Sequence, residues 1–247
     1  PCDMPAIMAF ADSAGLPVVE DCAIAVGSRI DGTHVGLFGH VGCYSFYPVK
    51  HITTCEGGMI VSNNPETIAR IAKFRAFSVD RTHSERKVPG IYDVSDIGMN
   101  YRMSEMQGAL GRVQIKKIPK ILKARKANFD ALKAGLEAIG DIRVIDDLDP
   151  RYTNTHYCLV AVFEGELASK RDDIIMSLQA LGVGTSVYYP HPVARLTAYK
   201  KRYGYIDGTF PNAETISDKA IALPVGPHLN GTDMADITAA MTSVISR

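Results

Sequence analysis

The order of apolar and polar positions divides the chain into short apolar runs, typical of strands, and segments with apolar residues at helical spacing. Asp3 is a suitable cap for a first helix, which Gly15 would end. Ser104 and Gln107 match a capping box, which predicts another helix. In this half of the chain we expect strands at 16–19, 41–47 and 59–61, helices at 4–14, 66–74 and from 104 onward, and a hairpin turning at Asp31 and Gly32.

The second half of the chain has a different pattern, which predicts a compact α+β domain. Pro119 interrupts one helical run and can stand in the first turn of the next helix. We expect that helix to continue to residue 139. Beyond it the pattern predicts strands at 142–145, 155–163 and 185–188 and helices at 169–181, 193–203, 211–220 and 233–246.

Polar side chains stand where two predicted strands end. Asp21 follows the strand 16–19, and Lys50 follows the strand 41–47, which Pro48 terminates because proline cannot continue a central ladder. Ligands of open α/β sheets bind beyond the carboxyl ends of the strands. Taken alone, Lys50 would be interpreted as a solvated surface cation, and Asp21 as a helix cap or a turn residue.

Composition excludes several classes of partner. Lys and Arg together number 27, as do Asp and Glu, so no basic excess predicts nucleic-acid binding. Apolar runs are short, and we expect neither a membrane span nor a secretory signal. The 5 cysteines are irregularly spaced without a Cys-x-x-Cys pair, which indicates no metal site but free thiols in a reducing, cytoplasmic location.

Two motifs carry a resemblance to a known family. Residues 45–58 read Ser-Phe-x-Pro-x-Lys-x-x-Thr-x-x-Glu-Gly-Gly, and residues 98–104 read Gly-x-Asn-x-Arg-Met-Ser. The chain thereby resembles the DegT/DnrJ-type sugar aminotransferases, which use pyridoxal phosphate (PLP) and have fold type I. The resemblance covers nearly the whole chain and implies that its N-terminal third is missing.

The resemblance implies a role for several residues. Lys50 would form the Schiff base with PLP, and Asp21 would keep the pyridine nitrogen protonated. Ser45 and Asn100 would bind the phosphate, with Asn100 reaching the site of a second subunit. The substrate contacts would include Tyr188 and His191. A structural interpretation remains open for three of these residues: a strand hydroxyl for Ser45, a left-handed turn residue for Asn100 and an ordinary loop side chain for His191.

The resemblance also implies an architecture and an activity. The architecture would be α/β: residues 1–118 would form the rest of the PLP-binding large domain, with a mainly parallel sheet and helices, and residues 119–247 a linker helix and a small C-terminal α+β domain. The activity would be ping-pong transfer of an amino group, usually from L-glutamate, to a keto-sugar, most often nucleotide-linked. The enzyme would be a homodimer with shared active sites.

Two alternatives and one departure accompany this interpretation. Sugar dehydratases of the same fold carry histidine in place of the lysine, and here Lys50 is present with His51 only beside it. A non-catalytic, PLP-binding regulatory protein is the second alternative. Ile24 departs from the family, because many relatives have glutamine there, able to bond the cofactor or the substrate.

Overall fold

The structure is a computed structural model that describes residues 1–146 and 149–246, except for the side chain of His83. Two compact units divide the chain: the first comprises Pro1–Pro119 and Asp149–Thr155, the second Lys120–Leu148 and His156–Arg247. The assignment of domains to residues 1–118 and 119–247 stays a prediction. The return of residues 149–155 to the first unit was not predicted.

The first unit contains helices and short strands in alternation. Its helices are α1 (Met4–Ala14), α2 (Pro65–Phe74) and α3 (Glu105–Gln114), with 3₁₀ turns at His83–Glu85 and Ile115–Lys117. Its strands are β1 (Val19–Asp21), β2 (Arg29–Ile30), β3 (Thr33–His34), β4 (Val41–Ser45) and β5 (Gly58–Val61), joined by β7 (Tyr152–Thr153) from the returning segment. The predicted caps are present: Asp3 accepts from the Ala6 N–H at 3.2 Å, and Ser104 forms its capping box.

The sheet that carries the candidate site has the order β1-β4-β5. β1 runs parallel to β4, whereas β4 and β5 are antiparallel. The reason is the connection: residues 46–57 contain no helix, and parallel neighbours need a longer crossover.

A second small sheet has the order β3-β2-β7, all antiparallel. The hairpin of β2 and β3 turns at Asp31 and Gly32, as predicted from the sequence. β7 pairs with β2 through Arg29 and Thr153, which attaches the returning segment to the first unit.

The second unit is an α+β body with its own core. It contains α4 (Ile118–Glu137), α5 (Arg171–Ala180), α6 (Thr197–Tyr203), α7 (Pro211–Lys219) and α8 (Gly231–Ile245), and the antiparallel sheet β6 (Ile142–Val144), β8 (Leu159–Phe163) and β9 (Ala220–Leu223), with 3₁₀ turns at Gly165–Ser169 and Val193–Arg195. Leu132, Leu159 and Leu178 are fully buried in this core. In the described residues no helix is both long and apolar enough to cross a bilayer.

Two features of the second unit differ from the prediction. The helix expected at 211–220 ends one residue earlier, and Ala220–Leu223, where no strand was predicted, forms the strand β9, with all four of its residues buried. The strand expected at 185–188 is reduced to one bridge between Ser186 and Ala222. A short apolar run has no periodicity that separates a strand from a buried helix end, so tertiary pairing decides.

Candidate active site

Lys50 lies in the loop 46–57, which joins β4 to β5. Backbone hydrogen bonds close the base of this loop: the Phe46 N–H donates to the Gly57 carbonyl at 2.9 Å, and the Thr54 N–H donates to the Phe46 carbonyl at 3.0 Å. Phe46, whose backbone takes part in both bonds, is buried. The loop therefore holds the half-buried Lys50 on a fixed backbone just beyond a strand end.

The glycine pair that closes the motif is required by close approach. Gly57 has a φ of 149°, and a Cβ there would lie 2.4 Å from Thr54 Oγ1. A Cβ on Gly58 would lie 2.7 Å from the Tyr44 carbonyl oxygen. Both distances are far inside van der Waals contact, so no side chain fits at either position without displacing the loop.

Asp21 and Ser45 lie at the same edge and on the same face of the sheet. Asp21, the last residue of β1, is in register with Cys43, and Ser45 follows two residues later in β4. Successive strand residues alternate between faces, so these three side chains share one face. Asp21 is exposed and accepts from the Ala23 N–H at 3.0 Å, and the Ser45 hydroxyl accepts from the Tyr47 N–H at 3.3 Å.

Glu20, which sequence reasoning passed over, is the buried carboxylate of this strand. It is 6% exposed and accepts three backbone hydrogen bonds, from the N–H groups of Gly36 at 2.6 Å, Phe38 at 2.8 Å and Gly39 at 2.7 Å. Glu20 thereby fixes the loop that leads into β4. Only the alternation along β1 distinguishes it from Asp21: one carboxylate faces the interior, and the other faces solvent.

Cys22 and Tyr44 pack beside Glu20 on this interior side. The Tyr44 hydroxyl donates to the Val35 carbonyl and is hydrogen-bonded to Cys22. Burial, and then the charge of Glu20, raises the pKa of Cys22 to about 11, and burial raises the pKa of Tyr44 to about 12. Both groups are therefore neutral near pH 7 and act as structural support for the strand that ends in Asp21.

Asn100 belongs to an extended segment that precedes α3. It pairs with Ala76 in an antiparallel bridge, and its side-chain oxygen accepts from Arg102 Nε at 3.2 Å. The Arg102 guanidinium also lies 4.9 Å from the centre of the Phe77 ring. Arg102 thus orients Asn100 and ties the segment to its neighbours, and the exposed amide nitrogen of Asn100 is available as a donor.

Thr155 connects the segments that follow β1 and β4. Its hydroxyl donates to the Ile24 carbonyl at 3.1 Å, and its own carbonyl oxygen lies 3.3 Å from His51 Nε2. His51 is 5% exposed, so its ring is part of the interior packing next to Lys50. Ile24 contributes its backbone, not its side chain, to this arrangement.

Tyr188 and His191, the predicted substrate residues, lie in the second unit. Tyr188 contacts the rings of Tyr157 and Tyr189, with centroids 6.1 and 5.4 Å away. Burial, and then the neighbouring Tyr188, raises the pKa of Tyr157 to about 12, so this phenol is a hydrogen-bond donor at neutral pH. His191 lies on an exposed loop.

The four predicted groups of the first unit fit PLP in kind. Lys50 would supply an amine for the aldehyde, Asp21 a carboxylate for the pyridine nitrogen, and Ser45 and Asn100 neutral donors for the phosphate. Asp21 and Ser45 share one face at the carboxyl edge of the sheet, and the loop with Lys50 begins at that edge. An α/β sheet with this set of groups defines the class of PLP-dependent transferases.

The model of the DegT/DnrJ/EryC1/StrS aminotransferase family matches residues 1–242, and the chain belongs to this family. The PLP cofactor predicted from the sequence is the characteristic cofactor of the family. The resemblance that the two motifs carried is therefore confirmed, and so are the α/β class and fold type I.

Three relatives illustrate this membership. A pleiotropic regulatory protein of Geobacillus stearothermophilus is 34% identical over 92% of this chain and 58% of its own length. The spore coat polysaccharide biosynthesis protein SpsC of Bacillus subtilis is 29% identical over 99% of this chain and 64% of its own. The structure of the aminotransferase TlmJ from Streptoalloteichus hindustanus matches with a TM-score of 0.87 and 26% identity, over 100% of this chain and 63% of that one. The chain thus spans less than two thirds of the length of these relatives.

Proposed function

We propose that this chain is part of a cytoplasmic, homodimeric aminotransferase that moves an amino group from L-glutamate to a nucleotide-linked keto-sugar. The observation that carries the proposal is the placement of Asp21, Ser45 and the Lys50 loop at one sheet edge, within a family match over nearly the whole chain. The involvement of SpsC in polysaccharide biosynthesis supports a sugar substrate. Free cysteines support a reducing compartment.

The groups of the first unit divide the tasks of the proposed reaction among them. Bound PLP supplies an electron sink for the carbon that loses its proton. The Lys50 amine would hold the cofactor, and the free amine would accept the proton from the donor Cα. Asp21 holds a proton on the ring nitrogen. Ser45 and Asn100 donate to phosphate oxygens, Asn100 in the site of the partner subunit.

Substrate recognition is proposed for the second unit. Tyr188 stands in a cluster of three tyrosines whose hydroxyl groups and ring faces are both suited to a sugar. His191 adds a polar ring on the same loop. We propose that these two side chains contact the keto-sugar, since the amino donor is a much smaller ligand.

Covalent labelling tests the assignment of Lys50. Full-length protein loaded with PLP is reduced with borohydride, digested and mapped by mass spectrometry, and the pyridoxyl group is expected on Lys50. Label on another lysine would refute the role. Asp21→Asn is expected to retain this label but to lose several orders of magnitude in turnover with glutamate and a panel of keto-sugars.

A regulatory, non-catalytic protein is the second candidate, because the 34% identical relative is named as a pleiotropic regulator. In that case Lys50 would be labelled, yet no keto-sugar in the panel would be aminated. The dehydratase alternative is disfavoured by His51, which is buried and lies 3.3 Å from the Thr155 carbonyl, while Lys50 occupies the position of the anchor.

A further inference from the structure

The carbonyl oxygen of Glu56 receives two side-chain donors at the end of the lysine loop. The Thr54 hydroxyl donates to it at 2.7 Å, from within the loop. Gln107 Nε2 donates to it at 2.7 Å, from the first turn of α3. The second bond is the long-range one. This hydrogen bond from Gln107 to the Glu56 carbonyl, which we call the strap, fastens the end of the loop to a helix that begins beyond Asn100.

Gln107 uses both ends of its amide. Its Oε1 accepts from the Ser104 N–H at 2.8 Å, and its backbone N–H donates to the Ser104 hydroxyl at 3.2 Å, which completes the capping box. Only one orientation of the amide places its oxygen on the Ser104 N–H and its nitrogen on the Glu56 carbonyl. The helix start therefore dictates where the donor points.

The same face of α3 makes a second contact with the loop one turn later. A Cβ on Gly111 would lie 3.1 Å from Thr54 Cγ2, tighter than ordinary contact. Residues four apart lie on one face of a helix, so Gln107 and Gly111 together form the surface on which the loop end rests. Thr54 is 1% exposed, which confirms that this surface is closed.

We propose that Gln107 is a positioning residue, which holds the loop that carries Lys50 against the helix that follows Asn100. The proposal rests on the proposed function only for the roles of Lys50 and Asn100. The hydrogen bond from Gln107 to the Glu56 carbonyl does not depend on that function. Loss of the strap frees the loop end and lets the amine drift from the reacting carbon, while the fold is retained.

The variant Gln107→Glu removes the hydrogen bond to the Glu56 carbonyl but keeps the helix cap at Ser104. A carboxylate still accepts from the Ser104 N–H and favours a helix N-terminus, but it presents an oxygen, not a donor, to the Glu56 carbonyl. Gly111→Ala is the second variant: it presses on Thr54 from the same face, and alanine favours the helix, so α3 still forms. Gln179→Glu, at an exposed position of α5, is the matched control for charge and size.

Hydrogen exchange measured on the native full-length protein is the first readout. In Gln107→Glu the Thr54 and Phe46 amides are expected to exchange about tenfold faster, the equivalent of one lost hydrogen bond. Gly111→Ala should accelerate the same amides, and the control should not. Unchanged exchange in Gln107→Glu would overturn the proposal, whether or not the protein binds PLP.

Kinetics and labelling are the second readout. A misplaced amine is expected to lower kcat about 10- to 100-fold and to slow borohydride labelling of Lys50, with KM for the amino donor within about threefold. Faster exchange with unchanged kcat and unchanged labelling would also overturn a positioning role. Absence of label on Lys50 in the wild-type protein refutes the proposed function instead. The hydrogen-exchange measurement then still tests whether Gln107 holds the loop.

Discussion

Glu20 and Asp21 are adjacent carboxylates, but we expect their removal to have very different effects on the free energy of unfolding. Glu20→Gln is the test of stability, because glutamine has the same shape but a single acceptor oxygen. In the native strand one carboxylate oxygen accepts from Phe38 and Gly39, and the other accepts from Gly36. The glutamine amide oxygen still accepts from Phe38 and Gly39, but its NH₂ group faces the N–H of Gly36, which is also a donor.

The cost follows from these three bonds. A buried N–H left facing another donor loses a charge-assisted bond worth about 1.5–3 kcal/mol, and the two remaining bonds weaken because the acceptor is now neutral. Removing a buried charge recovers part of its desolvation penalty. The net loss is about 2–3 kcal/mol of unfolding free energy.

Urea denaturation of the full-length protein, followed by circular dichroism, measures this loss. Asp21→Asn is the matched control: Asp21 is exposed, and its one accepted bond, from the Ala23 N–H at 3.0 Å, suits an amide oxygen equally well. Its stability should change by no more than about 0.5 kcal/mol. Equal unfolding midpoints for Glu20→Gln and wild type would refute the supporting role given to Glu20.

Three further predictions concern packing, thiol reactivity and pH. Gly42→Ala should cost at least about 3 kcal/mol, because its Cβ would lie 2.3 Å from a backbone atom, whereas Gly108→Ala, with open space in α3, should gain up to about 1 kcal/mol; urea denaturation compares them. Iodoacetamide at about pH 8 should alkylate the exposed Cys55 and spare Cys22, whose pKa burial raises to about 11; equal rates by mass spectrometry would contradict this. Burial lowers the pKa of His156, so the stability due to its neutral ring is complete above pH 6.5 and is lost as pH falls through the lower, folded-state pKa. His156→Gln should flatten that acid limb of the denaturation midpoint, and an unchanged limb would assign it to other groups.

Local signals predicted the first unit well where a few neighbouring residues decide the structure. The cap of α1 at Asp3, the capping box at Ser104 and the hairpin turn at Asp31 depend on contacts within about four residues, so the sequence contains the whole interaction. The lysine motif likewise predicted a loop after a strand, and the family match confirms the resemblance that the motif carried. The roles of the residues in this motif stay predictions.

Strand pairing was beyond the reach of these signals. No strand was predicted at Ala220–Leu223, a short run that is apolar at every position, and only its pairing with β8 makes it the strand β9. β7 joins β2 across more than a hundred residues, so no local pattern indicates it. Pairing of this kind depends on which faces the rest of the chain leaves to be buried.

The candidate site shows the same division. The sequence by itself determined the family, and with it the residue types at the sheet edge: an amine, a carboxylate, a hydroxyl and an amide. The tertiary structure alone decided that Glu20 faces inward to hold a loop, and that Gln107 reaches the carbonyl of Glu56. The physical reason is that a hydrogen bond between distant segments exists only once both backbones are fixed, whereas a motif records only which chemical groups are available.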